Sequence, residues 1–200
     1  MTVQAFEILV VRHGKTTWNL EKRLQGRRDI PLSDEGFAQL AGKRPPQAFA
    51  SIPWYVSPLL RAQQTAKALG INDFITTEAL IEMNWGDWEG ERLPELRRRL
   101  GPAMQQEEDK GLDLSPPNGE SPRQVRTRIL TWLQTAGFAT EKIGLVTHKG
   151  VIRALLSEAL DWQMLEACPV KIRWDQALLF RCSAEGIELL DYNIPLDSSG

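Results

Sequence analysis

Only two histidines occur in this chain of 200 residues, and both stand at the same kind of place. His13 follows the apolar run Phe6-Glu7-Ile8-Leu9-Val10-Val11 and Arg12, and it precedes Gly14-Lys15-Thr16. His148 follows Ile143-Gly144-Leu145-Val146-Thr147 and precedes Lys149-Gly150. Runs of this kind read as buried strands of a parallel sheet, broken by residues that open a helix. In open α/β sheets ligands bind beyond the carboxyl ends of the strands, where backbone N–H groups and helix N-termini gather. A third cation belongs to the same rim. Ile52 to Val56 reads as a strand, and Ser57-Pro58 reads as an N-cap and first helical residue, so Arg61 falls in the first helical turn.

These groups could perform phosphoryl transfer if the three turns converge. Arg12 and Arg61 present planar donor pairs suited to phosphate. With a protonated His148 they would neutralise a phosphoryl dianion and its transition state. A neutral His13 could then attack phosphorus and carry the phosphoryl group covalently. The leaving alkoxide needs a proton. Glu82, set among Ala79, Leu80, Ile81 and Met83, is the carboxyl group that burial would keep protonated, and it could next activate water. Taken alone, its stretch fits a structural turn glutamate equally well. Arg and His do the charge work, so no metal and no cofactor is required.

The elements that must position these groups are legible in outline. With 42% hydrophobic residues the chain has enough apolar material for one α/β domain over 1–200, a three-layer arrangement in which a mostly parallel sheet carries helices on both faces. Ser33 reads as a helix N-cap after the staple residue Leu32, and Asp73 to Thr77 as a further strand. Ser121 with Gln124 makes a capping box before a helix whose apolar face is Val125, Ile129, Trp132, Leu133 and Ala136. Val151 to Leu160 reads as a helix. Trp174 to Cys182 and Gly186 to Tyr192 read as a hairpin at the sheet edge. Arg97-Arg98-Arg99 reads as a solvated or acid-paired helix face.

Bulk properties exclude some partners. A formal charge of −2 gives no reason to expect nucleic acid or an anionic membrane. No run approaches the roughly 20 apolar residues of a membrane span, and the N-terminus lacks a basic-then-apolar leader, so a soluble, cytoplasmic protein is expected. Cys168 and Cys182 have no metal-ligand spacing and read as buried free thiols. The oligomeric state is open.

The chain resembles the histidine phosphatase superfamily, the clan of cofactor-dependent phosphoglycerate mutases and acid phosphatases. The resemblance rests on Val10-Val11-Arg12-His13-Gly14-Lys15-Thr16-Thr17-Trp18-Asn19, on Gln25-Gly26, on Ser57-Pro58-Leu59-Leu60-Arg61-Ala62-Gln63-Gln64-Thr65-Ala66, and on Glu82 before Trp85-Gly86-Asp87-Trp88-Glu89-Gly90. Pro117 to Ser121 and Val146-Thr147-His148-Lys149-Gly150-Val151-Ile152-Arg153 complete it. It implies that His13 is the phosphorylated nucleophile, Glu82 the proton donor, and Arg12, Arg61 and His148 the phosphate pocket. It implies substrate contacts for Asn19, Gln25 and Gly26, with Thr16 and Lys149 as further candidates. Two positions depart from the pattern. Lys15 replaces the usual Glu or Gln, and Lys149 the usual Gly, which would favour a more anionic substrate or depress a nearby histidine.

A phosphomonoester hydrolase acting on a small molecule is the expected function. A mutase must shield its phosphoenzyme from water, and the family does so with a long insertion after the acid that is short here. A mutase stays open if Arg97 to Arg99 grip a second phosphate, as does action on phosphoproteins. A non-catalytic phospho-ligand binder is disfavoured because His13 and Glu82 are both in place. If Trp85 and Trp88 roof the pocket, a small, partly apolar alcohol such as a nucleoside-like or ribazole phosphate would suit it.

Overall fold

The computed structural model describes residues 5–198. The central apolar runs form β1 (Phe6–Arg12), β3 (Trp54–Val56) and β5 (Lys142–Thr147), with β4 (Ile75–Thr76) an exposed edge strand; a short β2 (Lys43–Arg44) pairs with β8 (Asp197–Ser198) apart from the main sheet. The main sheet has six strands in the order β4-β3-β5-β1-β6-β7, with β6 (Ala177–Ser183) and β7 (Gly186–Ile194) as the antiparallel hairpin at one edge. The pairs β4/β3, β3/β5 and β5/β1 are parallel. Strands buried on both faces need no alternation of polarity, which is why β1 and β5 read as continuous apolar runs.

Alternate residues of β1 feed two cores. Ile8 and Val10 pack with Ile143 and Leu145 beneath α6 (Pro122–Thr135) and α7 (Lys149–Ala159). Leu9 and Val11 pack with Val146, Trp54 and Val56 against α2 (Asp34–Leu40) and α3 (Leu60–Ala68). The three layers follow from that alternation. A third, smaller cluster of Trp88, Leu96 and Met104 lies under α4 (Leu93–Leu100) and α5 (Pro102–Glu108), and α1 (Thr17–Leu20) follows the first turn.

The local signals hold where a side chain can satisfy a nearby backbone group. Ser33 caps α2 through the Gly36 amide, and Ser121 with Gln124 forms the expected capping box on α6. They fail where tertiary contacts compete. Ser57 does not cap α3: the helix starts at Leu60, and the Ser57 amide instead extends the β3/β5 ladder by donating to the Val146 carbonyl at 3.0 Å. The last hairpin begins at Ala177, and Trp174 stands before it in a turn closed by Gln176 N–H to Arg173 O, 3.1 Å. On α6, Val125, Ile129 and Leu133 are buried and Trp132 packs partly, while Ala136 at the C-cap is exposed. Cys182 is a buried thiol pushed up to about 11 by desolvation, but Cys168 is only half-buried.

Candidate active site

The parallel register brings the three turns together. β5 lies between β3 and β1, with Val56 beside Val146 and Arg12 beside Thr147. The residues that follow, Ser57, His148 and His13, therefore leave the sheet side by side. The rings of His13 and His148 sit 5.1 Å apart, centroid to centroid.

Each histidine has a defined proton. His13 Nδ1 lies 2.7 Å from the Gly14 carbonyl, an acceptor, so Nδ1 carries the hydrogen and Nε2 is left with its lone pair. Burial, followed by the Arg12 and Arg61 charges, holds the ring well below the ordinary histidine range. His148 is fixed the other way. Arg61 Nε donates to its Nδ1 at 3.3 Å, so its Nε2–H donates to Ser57 Oγ at 2.6 Å. Burial and the adjacent Arg61 keep it neutral as well. The protonated His148 expected from the sequence is thus corrected: a guanidinium already occupies the nitrogen that a second proton would need.

Arg61 is wholly buried at the start of α3, and three of its five N–H groups go to Gly26 O at 2.7 Å, Arg28 O at 2.8 Å and His148, which leaves one hydrogen on each terminal nitrogen. Gly26 has φ of +53°, and a Cβ there would collide with the Glu89 side chain. Its carbonyl is a holder of Arg61. Arg12 is different: its Nε is buried with no partner. A buried donor left unpaired costs free energy comparable to a lost hydrogen bond, a cost that an acceptor reaching this atom would recover.

Glu82 sits in a loop pinned from α6. Arg128 donates to the carbonyls of Glu78, Ala79 and Ile81 at 3.1, 2.7 and 3.0 Å and pairs with Glu120. The Glu82 Oε1 accepts from the amides of Met83 at 2.8 Å and Gly150 at 3.0 Å. A Cβ at Gly150 would meet that oxygen, so any larger residue there would displace the Glu82 carboxyl. Desolvation raises the Glu82 pKa against these two amides and Arg61. Burial thus acts toward the protonated form, and Oε2, which accepts only from the Gly150 amide at 3.3 Å, is the freer oxygen.

The remaining candidates form the frame. Thr16 is completely buried, caps α1 and donates to Gln25 Oε1 at 2.9 Å or Asn19 Oδ1 at 3.1 Å. Asn19 lines the open cleft, Gln25 is buried, and Lys149 begins α7. The cleft has a volume of about 760 Å³ and is lined by Arg12, His13, Asn19, Lys43 and Trp174 among others. Trp85 and Trp88 are no roof: they stack on each other at 6.4 Å, and Trp88 belongs to the third core. The aromatic wall is Trp174, with Arg12 at 5.6 Å and Lys149 at 5.1 Å from its ring centroid. Lys15 is neutralised by Glu35 at 2.7 Å.

Sequence reasoning missed three residues. Ser57 orients His148, Thr65 accepts the Gly14 amide at 2.9 Å, and Trp174 walls the cleft. For Ser57 the only available signal was its place one residue past a strand end. Strand adjacency, which gives that place meaning, is not in the local sequence.

The profile of the histidine phosphatase superfamily (branch 1) matches residues 8–194. A 2,3-bisphosphoglycerate-dependent phosphoglycerate mutase of Methylorubrum extorquens is 32% identical, in an alignment that covers 95% of this chain and 98% of that protein. The solved structure of Bacillus stearothermophilus YhfR aligns with a TM-score of 0.80 at 27% identity, covering 95% of this chain and 98% of its own. A mycobacterial glucosyl-3-phosphoglycerate phosphatase, Rv2419c, shares the fold with a TM-score of 0.73 at 24% identity, covering 96% of this chain and 100% of its own.

Proposed function

The chain belongs to the histidine phosphatase superfamily, and we propose that it is a phosphomonoester hydrolase, a single domain working on a small-molecule phosphate through a phosphohistidine at His13. One observation carries this reading: the His13 Nδ1–H bond to Gly14 O, which turns a free Nε2 lone pair toward a site where Arg12 Nε has no partner.

In the first step Nε2 attacks phosphorus, the P–O bond to the alcohol breaks, and the Glu82 carboxylic acid gives its proton to the departing oxygen. In the second, water attacks the phosphohistidine and the P–N bond breaks. The Glu82 carboxylate takes the proton from water, and inorganic phosphate leaves. Arg12 and Arg61 hold the equatorial oxygens, where charge gathers in the transition state. His148, neutral, supports Arg61 through Nδ1 and offers its Nε2–H toward Ser57 or a bound oxygen. The arginines supply the positive charge a metal would otherwise bring, and the described residues hold no cluster of three or more His, Cys, Asp or Glu suited to a metal. No helix among the described residues is long and apolar enough to cross a membrane.

A mutase is the second reading, favoured by the name of the Methylorubrum relative. Against it, the segment after Glu82 supplies only α4 and α5, and these pack on their own small core. The experiment is incubation with an activated aryl phosphate in excess chelator, followed by intact mass. Phosphate release with a transient phosphoryl adduct lost in His13→Ala supports the hydrolase. Strict dependence on a divalent ion, or an adduct that survives His13→Ala, removes it.

A further inference from the structure

Two cations, Lys149 and Arg153, lie beyond Trp174 from the cleft, and Arg12 stands at the cleft side of the same indole. Arg12 and Lys149 share the Trp174 ring, and Arg153, one helical turn on from Lys149, lies 4.6 Å from the Trp162 ring centroid. Among the described residues no ion pair includes Arg12, Lys149 or Arg153, although most other arginines of the chain are paired. Lys149 and Arg153 line a separate cavity of about 180 Å³ with Cys168, Val170, Ile172 and Trp174. His13 does not line it, and Trp174 lines both spaces.

Like charges held together on indole faces repel, and cation–π contacts at partly exposed sites offset only a small part of that repulsion. A surface that merely needed solubility would place a carboxylate among them, as the chain does for Lys15 with Glu35. Instead the positive field continues from the phosphoryl site past one indole into a small cavity. Partial burial, with Arg12 and Arg153 as the next causes, pushes the Lys149 pKa down, and an anion would reverse that.

We propose that Lys149 and Arg153 form a second anion subsite, so that the preferred substrate is a phosphomonoester whose alcohol carries a second anionic group, received across Trp174. The proposal rests on the phosphomonoesterase reading for the reaction alone. Binding can be tested without it. The second group reaches Lys149 and Arg153 while the transferred phosphoryl group stays with His13, Arg12 and Arg61. Trp174 then serves as the wall between two anion sites and a stacking face for the carbon chain that joins them.

The test is titration calorimetry on His13→Ala protein, which cannot turn substrate over by the proposed route. Three ligands of one carbon skeleton are compared: glycerol 3-phosphate, 3-phosphoglycerate and glycerol 1,3-bisphosphate. A charge-assisted contact at the second site makes the carboxylate and bisphosphate ligands bind at least about tenfold tighter than glycerol 3-phosphate. Lys149→Met and Arg153→Met, each in the same background, bring that ratio down to about two- or threefold. The ratio within each protein is the readout, so a partly destabilised variant still reports discrimination. A ratio near one without the second substitution overturns the proposal, and so does a large ratio that both variants retain. Which anionic ligand gains more separates a carboxylate site from a phosphate site. Discrimination by a protein that never forms a phosphoenzyme would uphold this subsite while refuting the hydrolase.

Discussion

Two regions of the molecule are rich in arginine, and they are built on opposite terms. At the strand ends Arg61 is wholly buried and bound to carbonyls and His148, and Arg12 has a buried Nε with no partner. On α4, Arg97, Arg98 and Arg99 are exposed; Arg97 pairs with Glu108 at 2.6 Å and Arg99 with Glu91 at 3.3 Å. Exposed pairs contribute little and are screened by water and salt. Buried guanidinium groups that donate to carbonyls and a neutral ring, or to nothing, rather than pairing with a carboxylate are costly in isolation, and the cost is recovered when an anion binds. Charge count alone does not distinguish the two regions. The partners do.

The sharpest break in the comparison is at His13. His13→Ala leaves both arginines in place but removes the nucleophile, so turnover of an aryl phosphate should fall by more than about 10⁴-fold while phosphate or vanadate binding persists. Stopped-flow and equilibrium titration measure the two separately. If rate and binding are lost together, His13 holds the pocket rather than attacking.

Glu82→Gln comes next. The general-acid role predicts a loss of about 10²–10⁴-fold for an alkyl phosphate and a much smaller loss for a good aryl leaving group. The pH profile of kcat/KM gives the sign. Activity needs His13 neutral and Glu82 protonated. His13 is held well below 6.5, so the acid limb lies below that value; Glu82 is raised above 4.5, so the alkaline limb lies above that one. Both shifts widen the window. In Glu82→Gln the alkaline limb should vanish, and its persistence would assign that limb to another group.

How much of this was legible beforehand depends on the range of the interaction. Residues that act next to their own strand end, His13 and His148, could be placed from the apolar run and the turn that follows. Glu82 was located by its apolar neighbours, yet the reason it stays put is Arg128, more than forty positions away, gripping three carbonyls of the preceding turn. The proton on His148 was misjudged for the same cause. Its state is set by Arg61 and Ser57, which reach it only through the β3/β5 pairing. Trp174 looked like a strand residue because aromatic content favours strands. A turn over Arg173 to Gln176 delays the ladder until Ala177, three residues later, and that frees the indole to wall the cleft.

Ser57→Ala tests the long-range part of the arrangement with a smaller effect. Losing the hydroxyl leaves the His148 Nε2–H buried and unpaired, which costs about 1–3 kcal/mol of stability. Because His148 acts through Arg61, kcat/KM for an aryl phosphate should fall about tenfold. Ser57→Thr, which keeps the hydroxyl, should recover much of it. A fall in melting temperature with no change in kcat/KM would make Ser57 structural only.

Arg97→Ala is the smallest expected effect and the one that bears on mutase action. A mutase must hold a second phosphate while the phosphoenzyme waits, and the α4 arginines are the cationic group in the segment that follows Glu82. Arg97 is already spent on Glu108, with three contacts of 2.6–3.1 Å between the two side chains. Its loss should cost no more than about 1 kcal/mol of stability, as exposed ion pairs do. Hydrolysis of an aryl phosphate should stay within about threefold, the spread expected of a surface position. In the same preparation, 3-phosphoglycerate with trace 2,3-bisphosphoglycerate should give inorganic phosphate at most. Rapid formation of 2-phosphoglycerate, abolished by Arg97→Ala, would show that the pair with Glu108 opens when substrate arrives. The surface arginines would then be doing the same kind of work as the buried ones, and the contrast between the two regions would hold only for the empty protein.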